Sequence, residues 1–322
     1  MYSLLVLLSG SLQALMLLVN GALSAQQGLW HATLYIHIVG TLFAAAALAL
    51  ARQRTGLSRE LPAWMYLGGV IGVAATAGCS FAATRLSLGS VAALNMFSQL
   101  AVSCLVDRFG LFGMKRQSSL DFSGAGLLLS ALGIVLMLGI PDGDAAGIFA
   151  ALAVGGCVVV AKIVNGFLAE RTSALQGSFI NHLAGVPVCL VLALLIPEPV
   201  QKETFRLWIW CGGMMGVIVV LLNNLTVLHL SSSRLTLLTL CGQLFCGLVL
   251  DALRGTAISE LELFAALLVA AGIAVWQLQC MYRQKKAREK QAYYEQIAQA
   301  ERAYWQQLYQ KSAERAGSIS SK

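Results

Sequence analysis

Apolar runs about twenty residues long recur ten times along the chain, separated by short polar or Gly/Pro-marked breaks. They cover residues 4–25, 32–51, 62–84, 87–107, 122–140, 146–168, 175–196, 206–228, 232–251 and 262–282. A helix rises 1.5 Å per residue, so each run is long enough to cross a hydrocarbon core of about 30 Å. The pattern predicts an all-α integral membrane protein with ten transmembrane helices. Composition agrees: 58% of the 322 residues are hydrophobic, 11% are charged, and the mean hydropathy is +0.74. A chain so poor in charge could not cover a water-facing surface without large apolar patches, which excludes a soluble enzyme.

The first run ends in Ala22-Leu-Ser-Ala25, small residues that could mark a signal-peptide cleavage site. Residues 1–22 hold no Lys or Arg, however, and a signal peptide needs a basic n-region. The run is therefore read as a mature span.

The net charge is +7, and residues 283–322 alone hold nine Lys/Arg against four Glu, a net +5. The membrane body is thus nearly neutral, which argues against a nucleic-acid binder with a basic face built into its fold. A solvated basic tail facing anionic lipid headgroups fits better. With the N-terminus inside, short cytoplasmic loops and the tail collect 17 Lys/Arg, from Arg52, Arg54 and Arg59 to Arg234 and beyond. Arg85, Lys202, Arg206 and Arg254 fall outside. The positive-inside rule then places both termini in the cytoplasm, and the short loops suggest a bacterial inner membrane.

The chain also matches itself at an offset near 145. Asn20-Gly21 recurs as Asn165-Gly166, and His37-x-x-Gly40 as His182-x-x-Gly185. After a one-residue slip, Gly68-Gly69-x-x-Gly72 returns as Gly212-Gly213-x-x-Gly216. Gln99-Leu100 with Asp107 returns as Gln243-Leu244 with Asp251. Each half holds five spans, and an odd number obliges the second half to enter the membrane from the opposite side. The reading is two inverted five-helix repeats, 1–141 and 142–282, followed by a basic cytoplasmic C-terminal helix over 283–322. Inverted repeats are a common plan of secondary transporters.

These paired elements carry a resemblance to a known family. The chain is similar to a tandem-duplicated YdcZ-type (EamA-like) member of the drug/metabolite transporter superfamily. Its most specific piece is Asp107-Arg-Phe-Gly-Leu-Phe-Gly-Met-Lys-Arg116, an acidic, aromatic-glycine and basic loop after the fourth span. The matching Asp251-Ala-Leu-Arg-Gly255 is shorter and lacks the basic pair. The resemblance implies ten spans in two inverted halves and movement of small solutes.

Catalytic signatures are absent: no GxSxG, HExxH, Walker loop or GxGxxG stands in a suitable context. No CxxC pair exists, and the eight cysteines all fall in apolar runs, where they read as small buried hydrophobes. No enzyme activity, cofactor or metal is expected. Polar groups inside spans are costly unless paired or facing a cavity. Asn20 and His37, toward the outer third, and Asn165 and His182, toward the inner third, are expected as two mirrored clusters that either bind solute or pin helices. His31 and His229 read as solvated residues at span ends. Gln99 and Gln243, near the middle of spans four and nine, are the leading solute ligands; their amides both donate and accept. Lys162, opposite Leu17 in the other half, is the single charged side chain well inside a span. It could bind an anion or take part in coupling, or snorkel to the interface. Asp107 and Asp251 read as solvated caps or loop anchors. The GxxxG spacings at 68–72 and 212–216 read as helix-packing devices, and Pro187 predicts a kink in span seven.

Beyond Tyr282 the sequence favours a helix, with disorder expected over 317–322. The leading functional reading is a multi-pass secondary carrier moving a small organic metabolite or drug-like solute by alternating access. The expected partners are that solute and membrane lipid, with no nucleic acid, in a monomer or homodimer. The alternative is a non-transporting membrane scaffold or sensor that recruits a partner through its basic tail.

Overall fold

The computed structural model describes residues 1–53, 61–83, 85, 88–116, 125–138, 145–198, 206–253 and 260–320. Among the described residues the secondary structure is entirely helical. Ten α-helices follow in order: α1 (Tyr2–Gln27), α2 (Leu29–Leu50), α3 (Gly68–Ala83), α4 (Leu88–Phe109) and α5 (Ala125–Leu138), then α6 (Ala145–Arg171), α7 (Ala174–Leu195), α8 (Gly212–Asn224), α9 (Ser232–Leu253) and α10 (Glu260–Ser320). Single 3-10 turns, Ala63–Tyr66 and Leu207–Cys211, lead into α3 and α8. Each apolar run of the sequence coincides with one of these helices.

Tyr2–Gln27, Leu29–Leu50, Ala145–Arg171, Ala174–Leu195 and Leu207–Asn224 are long and apolar enough to cross a membrane. Their outward faces carry large apolar side chains, among them Leu42 (66% exposed), Phe149 (74%) and Leu194 (76%). Water would oppose so much exposed apolar surface, whereas lipid accepts it. This is a membrane protein.

Met1–Ala274 forms one compact unit and Val275–Lys322 another. In the first unit the helices before residue 141 pack mainly on helices after it: α1 on α8 and α9, α2 on α7 and α8, α3 on α6 and α7, and α4 on α6 and α9. The buried apolar clusters cross in the same way. One joins Val6, Val106, Ile163 and Leu235; another joins Ala44, Leu48, Leu168 and Val217. Directions follow from paired residues. His37 lies by Gly185 and His182 by Gly40, while Glu198 Oε2 accepts from the Trp30 N–H at 2.7 Å, so α2 and α7 run antiparallel. Asp107 meets Ser232 and Ser233, and Ser103 Oγ meets Thr236 Oγ1 at 2.7 Å, so α4 and α9 also run antiparallel.

The loop after α4 is built on left-handed backbone at Gly110 (φ 65°) and Gly113 (φ 76°), with Phe112 also at φ 54°. Glycine adopts such angles without Cβ strain, which explains the glycine spacing of the 107–116 segment. Ahead of it Asp107 is fully buried rather than solvated. Its Oδ1 accepts from the Ser232 N–H at 2.7 Å, and its Oδ2 accepts from the Ser233 N–H and hydroxyl at 2.7 and 2.5 Å. It caps the start of α9 from a different helix, satisfying backbone donors that a helix N-terminus leaves without partners. The Asp251 side chain lies outside the description.

α7 runs as one helix from Ala174 to Leu195 with Pro187 inside it. Two further expectations are corrected. α10 remains helical to Ser320, past Gly317. Of the cysteines whose side chains are described, Cys104 and Cys189 are buried, but Cys79, Cys157, Cys211, Cys241 and Cys246 are half-buried on helix faces; the Cys280 side chain lies outside the description. In the second unit the described side chains of the tail are largely exposed, with Lys285 and Glu289 paired at 4.0 Å. Such a solvated i,i+4 pair adds a few tenths of a kcal/mol at most.

Candidate functional site

The polar residues singled out by the repeat meet across it. The Oδ1 of Asn20, on α1, lies against Gly212 at the start of α8, and the Oδ1 of Asn165, on α6, lies against Gly68 at the start of α3. In both cases a Cβ on the glycine would overlap the amide oxygen. The imidazole of His37 occupies the space a Gly185 side chain would need, and that of His182 the space a Gly40 side chain would need. Gly69 lies against the Asn181 carbonyl and Gly213 against that of Ile36. Every one of these contacts has its counterpart with the halves exchanged.

Asn20 and Asn165 thus take separate glycine partners, but the histidines do not divide between two clusters. Their rings face each other with centroids 5.7 Å apart and planes at 47°. The reason is the antiparallel packing of α2 on α7, which brings positions eight residues into each helix to one level. Each Nδ1 lies 2.9 Å from a carbonyl one turn earlier, Thr33 for His37 and Ser178 for His182. A carbonyl only accepts, so Nδ1 carries a proton in each ring, and the neutral form of the ring would keep Nε2 as an acceptor. His182 is buried and His37 half-buried. At the span ends, His229 is exposed, as expected, and stacks on Tyr2 with ring centroids 4.5 Å apart.

Gln99 and Gln243 lie at similar heights. Continuing the antiparallel α4–α9 register from Asp107 and Ser103 puts Gln99 level with Leu240, less than one turn from Gln243. Their side chains take different partners. Gln99 Nε2 donates to Asn95 Oδ1 at 3.1 Å, and Lys162 Nζ donates to Gln99 Oε1 at 3.5 Å. Lys162 therefore turns toward α4 and does not snorkel. Gln243 Nε2 donates to Gln13 Oε1 at 3.0 Å, Gln13 Nε2 to Ser9 Oγ at 3.2 Å, and Ser9 Oγ to Asn223 Oδ1 at 3.3 Å.

Asn95, Gln13, Ser9, Asn181 and Asn223 complete these networks and escape a reading of the sequence. That reading searches for polar positions repeated in both halves, and most of these partners have no polar twin. A polar residue one turn from a candidate, as Asn95 is from Gln99, was the available signal. Asn165 Nδ2 donates to Asn181 Oδ1 at 2.8 Å, linking α6 to α7. A double-mutant cycle of Asn165→Ala and Asn181→Ala is expected to give a coupling of about 0.6 kcal/mol, the usual size of a hydrogen bond between membrane helices. Strictly additive effects on thermal unfolding would show that this bond does not hold the helices.

Comparison with known proteins fixes the family. The model of a family described as "Putative inner membrane exporter, YdcZ", in the drug/metabolite transporter superfamily, matches residues 1–136 and again 146–275. The chain belongs to this family. As a YdcZ-family protein it is a tandem duplicate of the family unit and an inner-membrane transporter of small solutes. No curated protein matches the chain in sequence. A solved structure described only as "Crystal structure of protein" superposes with a TM-score of 0.67 at 20% identity, over 86% of this chain and 98% of that one. At that identity the likeness shows the fold alone.

Proposed function

We propose that this YdcZ-family protein is a secondary carrier of a small organic solute, working by alternating access between two inverted halves of five transmembrane helices, with both termini cytoplasmic. The observation that carries the reading is the reciprocal seating of polar side chains on glycines: Asn20 on Gly212 and Asn165 on Gly68, His37 on Gly185 and His182 on Gly40. Matching helices α2 and α7, like α4 and α9, run antiparallel, as inverted halves require. Two interlocked, near-equivalent halves have two near-equivalent ways to tilt against each other, one opening to each side. Gln99 and Gln243 lie where such a tilt would exchange access, with His37 and His182 between the halves as packing or solute contacts.

The reading is tested without knowing the solute. Gln99→Cys and Gln243→Cys, each in a background lacking the eight native cysteines, are placed in membrane vesicles of both orientations and treated with an impermeant maleimide. Labelling of each position from either side is expected, with labelling from one side suppressed when the other is locked by cross-linking. Positions open to one side only, or to neither, would favour the scaffold over the carrier.

A further inference from the structure

We propose that Lys162, Gln99 and Asn95 form an anion subsite that receives the carboxylate, or an equivalent oxyanion, of a small organic solute. The inference deepens the carrier reading and rests on it. Lys162 lies nine residues before the end of α6 at Arg171, about 13 Å along the helix. Its ammonium is turned toward Gln99, and among the described residues no carboxylate pairs with it.

Counting donors and acceptors gives the ligand its sign. Gln99 Oε1 accepts from Lys162, and Asn95 Oδ1 accepts from Gln99, so both amide oxygens of the cluster are engaged. What remains is mostly donors: two N–H of the Lys162 ammonium, one of the Gln99 amide and two of the Asn95 amide, against one further lone pair on each oxygen. A cluster with a full positive charge and more spare donors than acceptors is complementary to an anion. It is a poor match for an amine, which brings further donors and a like charge.

The other half gives the contrast. Around Gln243 the bonds run Gln243 to Gln13 to Ser9 to Asn223, all neutral, and Leu17 stands at the position matching Lys162. The charge is therefore one-sided: the Gln243 network suits the neutral part of a solute and the Lys162 cluster its anionic end. A snorkelling lysine would not approach Gln99. A purely structural lysine would be expected to meet an acid or several carbonyls.

The test uses the purified full-length protein and thermal stabilisation by matched triads of probes, such as benzoate, benzamide and benzylamine, or butyrate, butyramide and butylamine. Stabilisation by carboxylates, with little by the matched amides and amines, is expected. Lys162→Gln should weaken apparent carboxylate affinity at least about tenfold, the scale of a lost charge-assisted hydrogen bond. Lys162→Arg, which keeps the charge, should retain part of it. If Lys162→Gln does not purify as folded protein, Lys162→Met serves, since it removes the charge while keeping an unbranched stem. Equal stabilisation by amide or amine, carboxylate binding unchanged without the charge, or no stabilisation by any probe would overturn the anion subsite. The cysteine-accessibility experiment above judges the carrier reading separately, because it needs no solute.

Discussion

Gly69→Ala should destabilise the protein by about 3 kcal/mol, while Gly72→Ala, three residues further on in the same helix, should leave stability unchanged or raise it by up to about 1 kcal/mol. A Cβ on Gly69 would overlap the Asn181 carbonyl and lie 3.2 Å from the Gly185 nitrogen, so it would meet backbone on α7 that cannot swing aside. A Cβ on Gly72 would have nothing within 4 Å. Gly213→Ala should repeat the larger effect from the other half, since its Cβ would meet the Ile36 carbonyl and lie 2.7 Å from the Gly40 nitrogen. Thermal unfolding of the three variants in one detergent decides the matter, and equal midpoints for Gly69→Ala and Gly72→Ala would sink the argument. The GxxxG reading is corrected in the first half only: Gly72 faces open space, whereas a Cβ on Gly216 would lie 3.1 Å from His182 Nε2, and the adjacent glycines at 68–69 and 212–213 make the closer contacts.

The second large effect belongs to Asp107. Asp107→Ala should destabilise by about 3 kcal/mol, because it removes three hydrogen bonds and strands the Ser232 and Ser233 N–H groups at the buried start of α9. Asp107→Asn, which keeps one acceptor oxygen, should lose about half as much, and Ser233→Ala about 1 kcal/mol. The positive end of the α9 dipole adds to the preference for a carboxylate. Chemical or thermal unfolding of the purified variants checks the order Ala, then Asn, then Ser233→Ala. An Asp107→Ala variant as stable as wild type would show that α9 does not depend on this cap.

The ten helices were legible in the sequence because lipid imposes a simple rule: every backbone polar group must be satisfied within its own segment, so apolar length reports helix position. The Asn, His, Gly-Gly and Gln-Leu elements were legible as a repeat because a duplicated unit leaves its polar positions at a fixed offset. Partners were not legible in the same way. Asn95 and Gln13 belong to the candidate site through contacts between α4, α6, α9 and α1, and no spacing along one segment encodes which helix will face another.

The sequence by itself determined the membrane-embedded, all-helical character, the family and the duplicated motifs, since these follow from hydropathy and from spacing within the chain. Only the tertiary structure decided that His37 faces His182, that Lys162 turns to Gln99, that Asp107 is a buried cap on α9, and which glycines touch a neighbour. The physical reason is that these are contacts between helices from opposite halves, set by the direction and register in which α2 meets α7 and α4 meets α9. Hydropathy, which sees each helix alone, carries neither direction nor register.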